Sequence, residues 1–293
     1  MSGSSDATSA SVGGSSDATS ASAYGASDAA GPAPRVSVLM TCHDAAATIE
    51  EAVRSVIAQT FTDWELVLVD DLSTDDSLAR VARLGDPRVR IVRLETRHRR
   101  TRALNAGLRR VRGEYVAVLD ADDLAAPERL ARQVAMLDAR PELAGVGSWF
   151  VDIDAAGRET RRHEFDVEPI AVRRQLAHNC LLVHSAMTYR TGLARLAGAY
   201  DERYDYAQDF ALWIALARTH ELGAIPAPLK RIRRLDSSMS RGRDYAMDLV
   251  RDGVRLYARA QTLPGLRPSD RVRGLRTIAW YAALLVWRTL RRR

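Results

Sequence analysis

From Arg35 onward, short apolar runs alternate with segments whose apolar residues recur every three or four positions. An uninterrupted apolar run is typical of a buried strand, whereas the longer spacing indicates an amphipathic helix. Strands and helices in alternation favour an α/β fold, in which crossover helices join parallel strands. In the first half, the predicted strands are 35–41, 64–71, 88–94 and 114–120, and the predicted helices are 48–59, 73–84 and 101–113.

Capping signals mark the ends of these helices. Thr48 and Glu51 have the spacing of a capping box ahead of an apolar face, and Ser73 and Thr74 precede the second helix. Gly113 follows the third helix, where a glycine often closes the last turn. We therefore expect these residues to set the helix ends.

The second half of the chain is less regular. Residues 142–154 and the following Ala-Ala-Gly-Arg predict strands joined by a turn. Beyond Asp236 the pattern is mainly helical, which predicts a C-terminal helical extension. The other predicted elements are strands at 181–190 and near 229–235, and helices at 207–220, 243–261 and 269–292.

The first 33 residues differ in composition from the rest of the chain. Ser, Ala, Gly and Asp dominate, and the nonapeptide GSSDATSAS occurs at 3–11 and again at 14–22. Such a segment has almost nothing to bury, so we predict a flexible tail over 1–33. The remaining chain is predicted to form an α/β domain over 34–235, with halves 34–125 and 126–235, and a helical extension over 236–293.

Charge and cysteine content restrict the function less than the motifs do. The formal net charge is +6, and the basic residues are nearly all arginine, with runs at 97–102, 230–234 and 288–293. These runs are solvated surface or contacts for phosphates, an acidic glycan or an anionic membrane, and we expect no nucleic-acid partner. Cys42 and Cys180 lack metal-type spacing and are expected to be buried thiols.

The N-terminal sequence has neither the basic start nor the apolar core of a secretory signal, and no stretch approaches the roughly 20 apolar residues of a membrane span. A cytoplasmic location is therefore the expectation.

Acidic residues follow two of the predicted strands: Asp70 and Asp71 come after the second, and Asp120, Asp122 and Asp123 after the fourth. Ligands of parallel sheets collect at the carboxyl ends of strands, so both groups are expected along one rim. Adjacent carboxylates raise each other's pKa unless a cation lies between them, and such hard oxygen ligands select Mg²⁺ or Mn²⁺. Alternatively, Asp122 or Asp123 caps the helix that Pro127 opens, and both interpretations stay open at this point.

The motifs as a set resemble the family 2 glycosyltransferases, enzymes with the GT-A fold. The segments that carry the resemblance are VSVLMTCHD, VRSVIAQTFTDWELVLVDDLSTDDS, ALNAGLRRVRGEYVAVLDADD and AQDFALW, in the family's order and approximate spacing over about residues 35–220. The resemblance implies a Rossmann-like, mostly parallel, doubly wound sheet. It also implies transfer of a sugar, with inversion, from a nucleoside diphosphate sugar, most often a UDP-sugar, to an acceptor hydroxyl on a glycan, glycolipid or envelope polymer.

The resemblance also implies residues that bind the donor. Asp71, with Asp70, would accept a hydrogen bond from the N–H of a uracil-like base, and Thr41 would lie beside the nucleoside. The family's frequent Tyr-Asn after the first strand is replaced here by His43 and Asp44, with Asp44 assigned to the same corner. Around these, the implied contacts to the ribose and diphosphate are Arg99, Arg102, Asn105, Asp120 and Ala121.

Metal and catalytic roles follow from the same likeness. Asp120 and Asp122 match the family's Asp-x-Asp motif, with Asp122 as a direct ligand of Mn²⁺ or Mg²⁺. Asp209 matches the acid that takes the proton of the acceptor hydroxyl, although Gln208 stands where many members have Glu. Capping of the following helix is the alternative for Asp209. His184 and Trp213 are expected on the acceptor side, with packing in the core as the alternative for both.

The C-terminal stretch IAWYAALLVW, at 278–287, is too short to span a bilayer. It either packs on the domain or anchors 276–293 peripherally at the inner face of the membrane, with Trp280, Tyr281 and Trp287 at the headgroups.

Two other functions remain in competition with glycosyl transfer. A sugar nucleotidyltransferase would normally carry a Gly-rich basic loop where this chain has TCHDAAAT, and a non-catalytic sugar-nucleotide or glycan-binding module would need no base.

Overall fold

A computed structural model of the chain describes residues 32–234 and 243–290, with the backbone alone for 243–247. Strands in this part of the chain are β1 (Val36–Cys42), β2 (Trp64–Asp70), β3 (Val89–Arg93), β4 (Tyr115–Val118), β5 (Leu124–Ala125), β6 (Leu143–Ile153), β7 (Glu159–His163), β8 (Thr188–Arg190) and β9 (Glu221–Arg233). Helices are α1 (Ile49–Ile57), α2 (Ser77–Ala82), α3 (Arg99–Leu108), α4 (Arg129–Ala139), α5 (Pro169–Leu176), α6 (Thr191–Leu196), α7 (Gln208–Ala217), α8 (Arg243–Ala260) and α9 (Pro268–Leu290). The α/β expectation is confirmed.

The strands form one mixed sheet in the order β3-β2-β1-β4-β8-β6-β9-β5, and β7 pairs with β6. The first four strands of this order are mutually parallel, as the alternating pattern predicts. Strand β8 then enters antiparallel between β4 and β6, while β6 and β9 run parallel to each other. The parallel half is thus joined to a mixed half that the less regular sequence did not reveal.

Hydrophobic residues cover both faces of the parallel half. Along β1, Val36, Val38 and Met40 pack in one cluster with α1 and α4, whereas Leu39 packs in the other with α3 and α7. This alternation explains why β1 and β2 are apolar at most positions and buried along nearly their whole length, since side chains of both orientations are covered. The sheet is therefore doubly wound, and its carboxyl edge is left for polar residues.

Several predicted helix ends are wrong in detail. Thr48 is the residue before α1, but its hydroxyl donates to Ala121 O (3.0 Å) rather than capping the helix. Its predicted capping partner, Glu51, pairs with Arg233 at 2.5 Å. Ser73 and Thr74 do not cap α2 either, because that helix begins only at Ser77 and both residues bond to Asp44.

Gly113 does not close a helix, since α3 ends at Leu108. A Cβ on Gly113 would lie 2.5 Å from Ser37 N, so the glycine is needed where the chain passes close to β1. The predicted strand at 181–190 is also shorter: only Thr188–Arg190 is extended, after a 3-10 turn at His184–Ala186.

The C-terminal helices pack against the rest of the chain. Leu256 and Ala260 of α8 are fully buried in the core cluster that contains α7, and Ile278 of α9 packs against the same cluster. The tail predicted over 1–33, the domain boundary predicted at 235, and Arg291–Arg293 fall outside the described residues, Pro32 and Ala33 excepted.

Candidate functional site

Two cavities meet at the carboxyl edge of the sheet. The larger, here called the β1-end cavity, has a volume of about 880 Å³ and includes Thr41, Asp44, Asp71, Arg99, Asp120 and Asp122 in its lining. The smaller, here called the α7–α8 cavity, has a volume of about 430 Å³ and includes Asp122, His184, Asp209, Phe210, Tyr257 and Tyr281. Volumes of this size suit small-molecule ligands. Both cavities are lined by Arg100, Asp120, Asp122 and Tyr206, so these four residues form their junction.

Three carboxylates cluster at this junction. Asp120, Asp122 and Asp123 follow β4, and each offers an oxygen within 4.8 Å of the others. The alternative that Asp122 or Asp123 caps the next helix is wrong, because α4 is preceded by Glu128 and the Leu130 N–H in its first turn donates to Gln59 Oε1 at 3.0 Å. The acidic cluster therefore needs another explanation.

Asp123 is committed to a buried ion pair. Lys230, the only lysine of the chain, is fully buried on β9 with its Nζ 2.8 Å from Asp123 Oδ2. Ser185 Oγ donates to the same oxygen at 3.0 Å, and the Arg233 backbone N–H donates to Oδ1 at 2.9 Å. With both oxygens occupied, Asp123 acts as a structural anchor, which leaves Asp120 and Asp122 facing the cavities.

Arg100 contacts one of the two remaining carboxylates. Its Nη2 donates to Asp120 Oδ1 at 2.6 Å. Although burial acts in the opposite direction, the charges of Arg100 and Lys230 lower the pKa of Asp120. No basic side chain of the described residues forms an ion pair with Asp122. Burial and the charges of Asp123 and Asp120 raise the pKa of Asp122 to about 6.

The donor set of this cluster fits a hard divalent cation. Asp120 and Asp122 supply carboxylate oxygens at the boundary of two cavities, without a sulfur or imidazole ligand beside them. Mg²⁺ and Mn²⁺ are commonly held by one or two carboxylates while substrate phosphates complete the coordination shell. The open space around Asp122 allows such a shell, so the residues present are suited to either ion.

Asp209 lies across the α7–α8 cavity in the first turn of α7. Its Oδ1 accepts the Phe210 N–H at 2.8 Å, so the residue also serves the helix terminus, in line with the capping alternative. Burial, with a further contribution from Asp120, raises the pKa of Asp209 to about 6, although the Phe210 N–H and Arg100 act in the opposite direction. A carboxylate with this pKa is suited to accept a proton near neutral pH.

Six residues predicted to bind the donor line the β1-end cavity, and besides Asp120 and Ala121 these are Thr41, Asp44, Asp71 and Arg99. Asp71 Oδ1 accepts the His98 N–H at 2.6 Å, which ties the end of β2 to the start of α3. Asp44 Oδ1 accepts the Thr74 N–H at 2.7 Å. Arg99 is largely exposed and pairs with Asp205 at 3.2 Å. Ala121 also lines this cavity.

Four other predicted residues lie outside both cavities: Asp70, Arg102, Asn105 and Trp213. Asp70 is fully buried and accepts the Ser73 N–H, so it shapes the loop after β2. Arg102 pairs with Glu202 on the surface. Asn105 donates to Tyr200 O at 2.9 Å and therefore holds the segment before α7 rather than the loop before α3. Trp213 is fully buried, in agreement with the core alternative.

His184 lies between the junction and the core. Arg100 Nη2 is 3.3 Å from His184 Nδ1, and a guanidinium only donates, so Nδ1 is the acceptor. The other ring nitrogen then carries the proton and donates to Tyr200 Oη at 2.8 Å. Burial and the charge of Arg100 lower the pKa of His184 to about 3, which keeps the ring neutral. In this neutral state His184 orients Arg100 through Nδ1, and its single N–H is used in the bond to Tyr200.

The sequence did not indicate Arg100, Tyr206, Tyr257 or Tyr281 as site residues. For Arg100 a signal exists: Arg100, Ala103 and Gly107 share one face of α3, but the predicted helix began only at 101. Lys230 also had a signal in the sequence. It is the only lysine in a chain whose other basic residues are all arginine. For the tyrosines of α8 and α9 no local signal exists, since their place depends on how the two helices dock.

The family model described as "Glycosyl transferase family 2" matches residues 37–198, more than half of the chain. The chain belongs to this family. The predicted family membership is thereby confirmed, and the matched range includes β2–β4, nearly all of β1 and the acidic cluster. The fourth motif, AQDFALW at 207–213, lies beyond the matched range.

Curated relatives agree with this membership. The putative glycosyltransferase EpsE of Bacillus subtilis is 35% identical over 42% of this chain and 46% of its own length. The UDP-Glc:alpha-D-GlcNAc-diphosphoundecaprenol beta-1,3-glucosyltransferase WfgD of Escherichia coli is 24% identical over 65% of this chain and 72% of its own. Over EpsE and three further relatives, this family 2 chain spans only about a fifth to a half of the relative's length.

Solved structures show that the fold is shared. TarS 1–349 of S. aureus in complex with UDP-GlcNAc has a TM-score of 0.68 at 19% identity, over 85% of this family 2 chain and 71% of that chain. The mannosyltransferase PcManGT from Pyrobaculum calidifontis, in complex with GDP-Man and Mn²⁺, has a TM-score of 0.62 at 19% identity, over 88% and 80%. The predicted GT-A fold with a C-terminal helical extension is confirmed.

Proposed function

We propose that this chain is an inverting, metal-dependent glycosyltransferase. It moves a sugar from a nucleoside diphosphate sugar, with a UDP-sugar as the favoured donor, to an acceptor hydroxyl of a cell-envelope glycan or lipid-linked glycan. The observation that carries the proposal is the junction of two cavities at Asp120 and Asp122, with Asp209 on the far side. The donor would occupy the β1-end cavity and the acceptor the α7–α8 cavity, so that the two substrates meet at the acidic cluster.

In the β1-end cavity, the chain offers groups for each part of the donor. The free oxygen of Asp71 is an acceptor for the N–H of a base, and Thr41 and Ala121 lie along the same wall. Arg97, Arg99 and Arg100 give this cavity positive charge for a diphosphate. TarS binds UDP-GlcNAc and PcManGT binds GDP-Man with Mn²⁺, which supports a nucleotide-sugar donor without deciding the base.

Asp122 and Asp120 would hold Mn²⁺ or Mg²⁺ at the junction. A bound cation of this kind neutralises the charge that builds on the departing nucleoside diphosphate. Arg100 fixes one orientation of the Asp120 carboxylate, and the Lys230–Asp123 pair fixes the loop that carries all three acids. The contacts of Asp120 and Asp123 would therefore hold the loop in place, while Asp122 would keep its carboxylate for the cation.

Asp209 would act as general base. It would remove the proton of the acceptor hydroxyl as that oxygen attacks the anomeric carbon from the face opposite the diphosphate, which inverts the configuration. Tyr206 and Arg100 stand between Asp209 and the β1-end cavity. A nucleotidyltransferase or a non-catalytic module gains no support, because neither explains a proton-accepting carboxylate in the second cavity.

Thermal unfolding with ligands tests the donor assignment first. We expect UDP, UDP-Glc or UDP-GlcNAc with Mn²⁺ to raise the melting temperature, whereas Mn²⁺ or nucleotide alone raises it less, because a ligand that binds only the native state stabilises it. A panel should include GDP-Man to compare bases. If no nucleoside diphosphate sugar shifts the transition with either metal, the proposed function is wrong.

The relative WfgD acts, by its name, on a diphosphoundecaprenol-linked GlcNAc. A lipid-linked acceptor of this kind would bring the enzyme to a membrane surface, and α9 offers a surface that such a membrane could contact.

Among residues 32–234 and 243–290, each helix is too short or too polar to span a bilayer. Yet α9 exposes a row of apolar residues along one face: Val272, Leu275, Val286, Trp287 and Leu290. Arg273 and Arg276 are exposed on the same helix, which favours an anionic surface.

Cosedimentation with vesicles tests this contact. We expect the full chain to bind vesicles containing phosphatidylglycerol more strongly than vesicles of phosphatidylcholine alone, and binding to fall with added salt. The double variant Val286→Glu/Leu290→Glu should lose most of the binding. Leu196→Glu, a matched change at an exposed leucine of α6, should not. Equal binding by both variants would remove α9 as the contact.

A further inference from the structure

The α7–α8 cavity is built in part by the C-terminal extension. Leu249, Gly253 and Tyr257 of α8 and Tyr281 of α9 line it together with Asp209 and Phe210 of α7. The family model ends at residue 198, before α7 begins. The part of the cavity wall formed by α7, α8 and α9 therefore lies outside the family match, whereas Asp120, Asp122 and His184 lie inside it.

Three aromatic rings form a continuous surface along this wall. The centroids of Phe210 and Tyr257 are 4.9 Å apart, and those of Tyr257 and Tyr281 are 5.5 Å apart. The Tyr281 ring packs directly on the backbone of α8, where a Cβ on Gly253 would lie 2.7 Å from its Cε1. Cys180 N–H donates to Tyr257 Oη at 3.4 Å and holds that ring from the opposite side. The rings are thus fixed before any ligand arrives.

The aromatic surface adjoins the candidate base. Phe210 follows Asp209 in the chain, and its N–H donates to that carboxylate at 2.8 Å. Asp122 and Arg234 also line the cavity, so charged groups stand around the rings. An alkyl chain would gain from the rings but would bury the Asp122 carboxylate, which has no ion-pair partner among the described residues, at considerable cost. Arg234 already pairs with Asp152 at 2.7 Å. A ligand with one apolar face and a polar rim suits both kinds of group.

We propose that Phe210, Tyr257 and Tyr281 bind the terminal hexopyranose of the acceptor, with the C–H face of the sugar on the rings and a hydroxyl directed at Asp209. A pyranose has this division, because its axial C–H groups form an apolar face and its hydroxyls form a polar edge. The inference rests on the proposed function and names the acceptor's chemical class at the same site. The C-terminal helices then select the acceptor, while the family-matched half binds the donor.

Saturation-transfer NMR on the full chain, with UDP and Mn²⁺ present, tests this subsite. The probes are the methyl glycopyranosides of glucose, galactose, mannose and N-acetylglucosamine. At least one should bind, with the strongest transfer to C–H protons on one face of the ring. Tyr281→Ala should weaken that binding by about five- to tenfold, since one ring contact is lost. Tyr281→Phe keeps the ring and should stay within about twofold.

Leu275→Ala is the control on the same helix, because Leu275 of α9 is 60% exposed and lies outside the cavity lining. It should leave glycoside binding within about twofold. Stabilisation by UDP and Mn²⁺, measured on the same samples, shows that each variant is folded and binds the donor. Its absence in the unmodified chain would refute the proposed function, whereas its presence without glycoside binding refutes only this inference. Unchanged binding by Tyr281→Ala, or displacement of the glycoside by farnesyl phosphate, would also overturn it.

Discussion

Replacing Asp122 with asparagine is expected to remove the metal dependence of this protein and to lower its turnover by about 10³-fold. Asparagine keeps the shape of the side chain but removes a charge that forms no ion pair with a basic side chain of the described residues. The release of nucleoside diphosphate from a UDP-sugar, followed over a Mn²⁺ titration, measures turnover. Thermal unfolding provides a second measurement. In the unmodified chain UDP with Mn²⁺ should raise the melting temperature more than UDP alone, and in Asp122→Asn this difference should disappear.

The fold of this variant should be intact. Removing one of three carboxylates within 4.8 Å relieves repulsion between like charges, so the ligand-free melting temperature should not fall. Asp63→Asn is the matched control, because Asp63 is exposed in the loop before β2 and lines neither cavity. It should retain the metal response. An Asp122→Asn variant that keeps the same Mn²⁺ response would show that the cluster does not hold the cation.

The parallel half of the fold could be predicted because its information is local. Buried strands such as β1 are mostly apolar along their length, and the intervening helices carry their own periodicity. The shared carboxyl edge then follows from topology, and with it the neighbourhood of Asp71, Asp120 and Asp122. The mixed half could not be predicted in this way. Strand β8 has three residues, and its place between β4 and β6 depends on tertiary contacts.

Within the site, residue type was a weaker guide than position. Arg99, Arg100 and Arg102 are chemically alike, yet only Arg100 reaches both Asp120 and His184, because it alone begins the face of α3 that turns to the sheet. Asp122 and Asp123 are neighbours in the chain, but Lys230, more than 100 positions away, forms an ion pair with Asp123 and not with Asp122. Tyr257 and Tyr281 meet through Gly253, a contact between helices that periodicity does not encode.

Replacing Asp209 with asparagine should lower turnover, as the Asp122→Asn change does, but should leave metal-dependent binding of the donor intact. We expect transfer, and hydrolysis of the donor by water, to fall by about 10²–10⁴-fold, because the attacking oxygen loses its proton acceptor. Stabilisation by a UDP-sugar with Mn²⁺ should remain, since Asp209 lines the α7–α8 cavity and not the β1-end cavity. Loss of both activity and donor binding would place Asp209 in the donor site instead.

The pH dependence separates a base from a structural carboxylate. Burial and the charge of Asp120 raise the pKa of Asp209 to about 6, and only the deprotonated form accepts a proton. The pKa of Asp122 is also raised to about 6, so the measurement uses saturating Mn²⁺, which keeps that carboxylate ionised. Under this condition the turnover of the unmodified chain should fall about tenfold per pH unit below the pKa of Asp209 and be independent of this group above it. The residual activity of the Asp209→Asn variant should lack this acidic limb, because an amide does not titrate in that range. If the limb persists in the variant, another group sets it and Asp209 only completes the first turn of α7, as its bond to the Phe210 N–H allows.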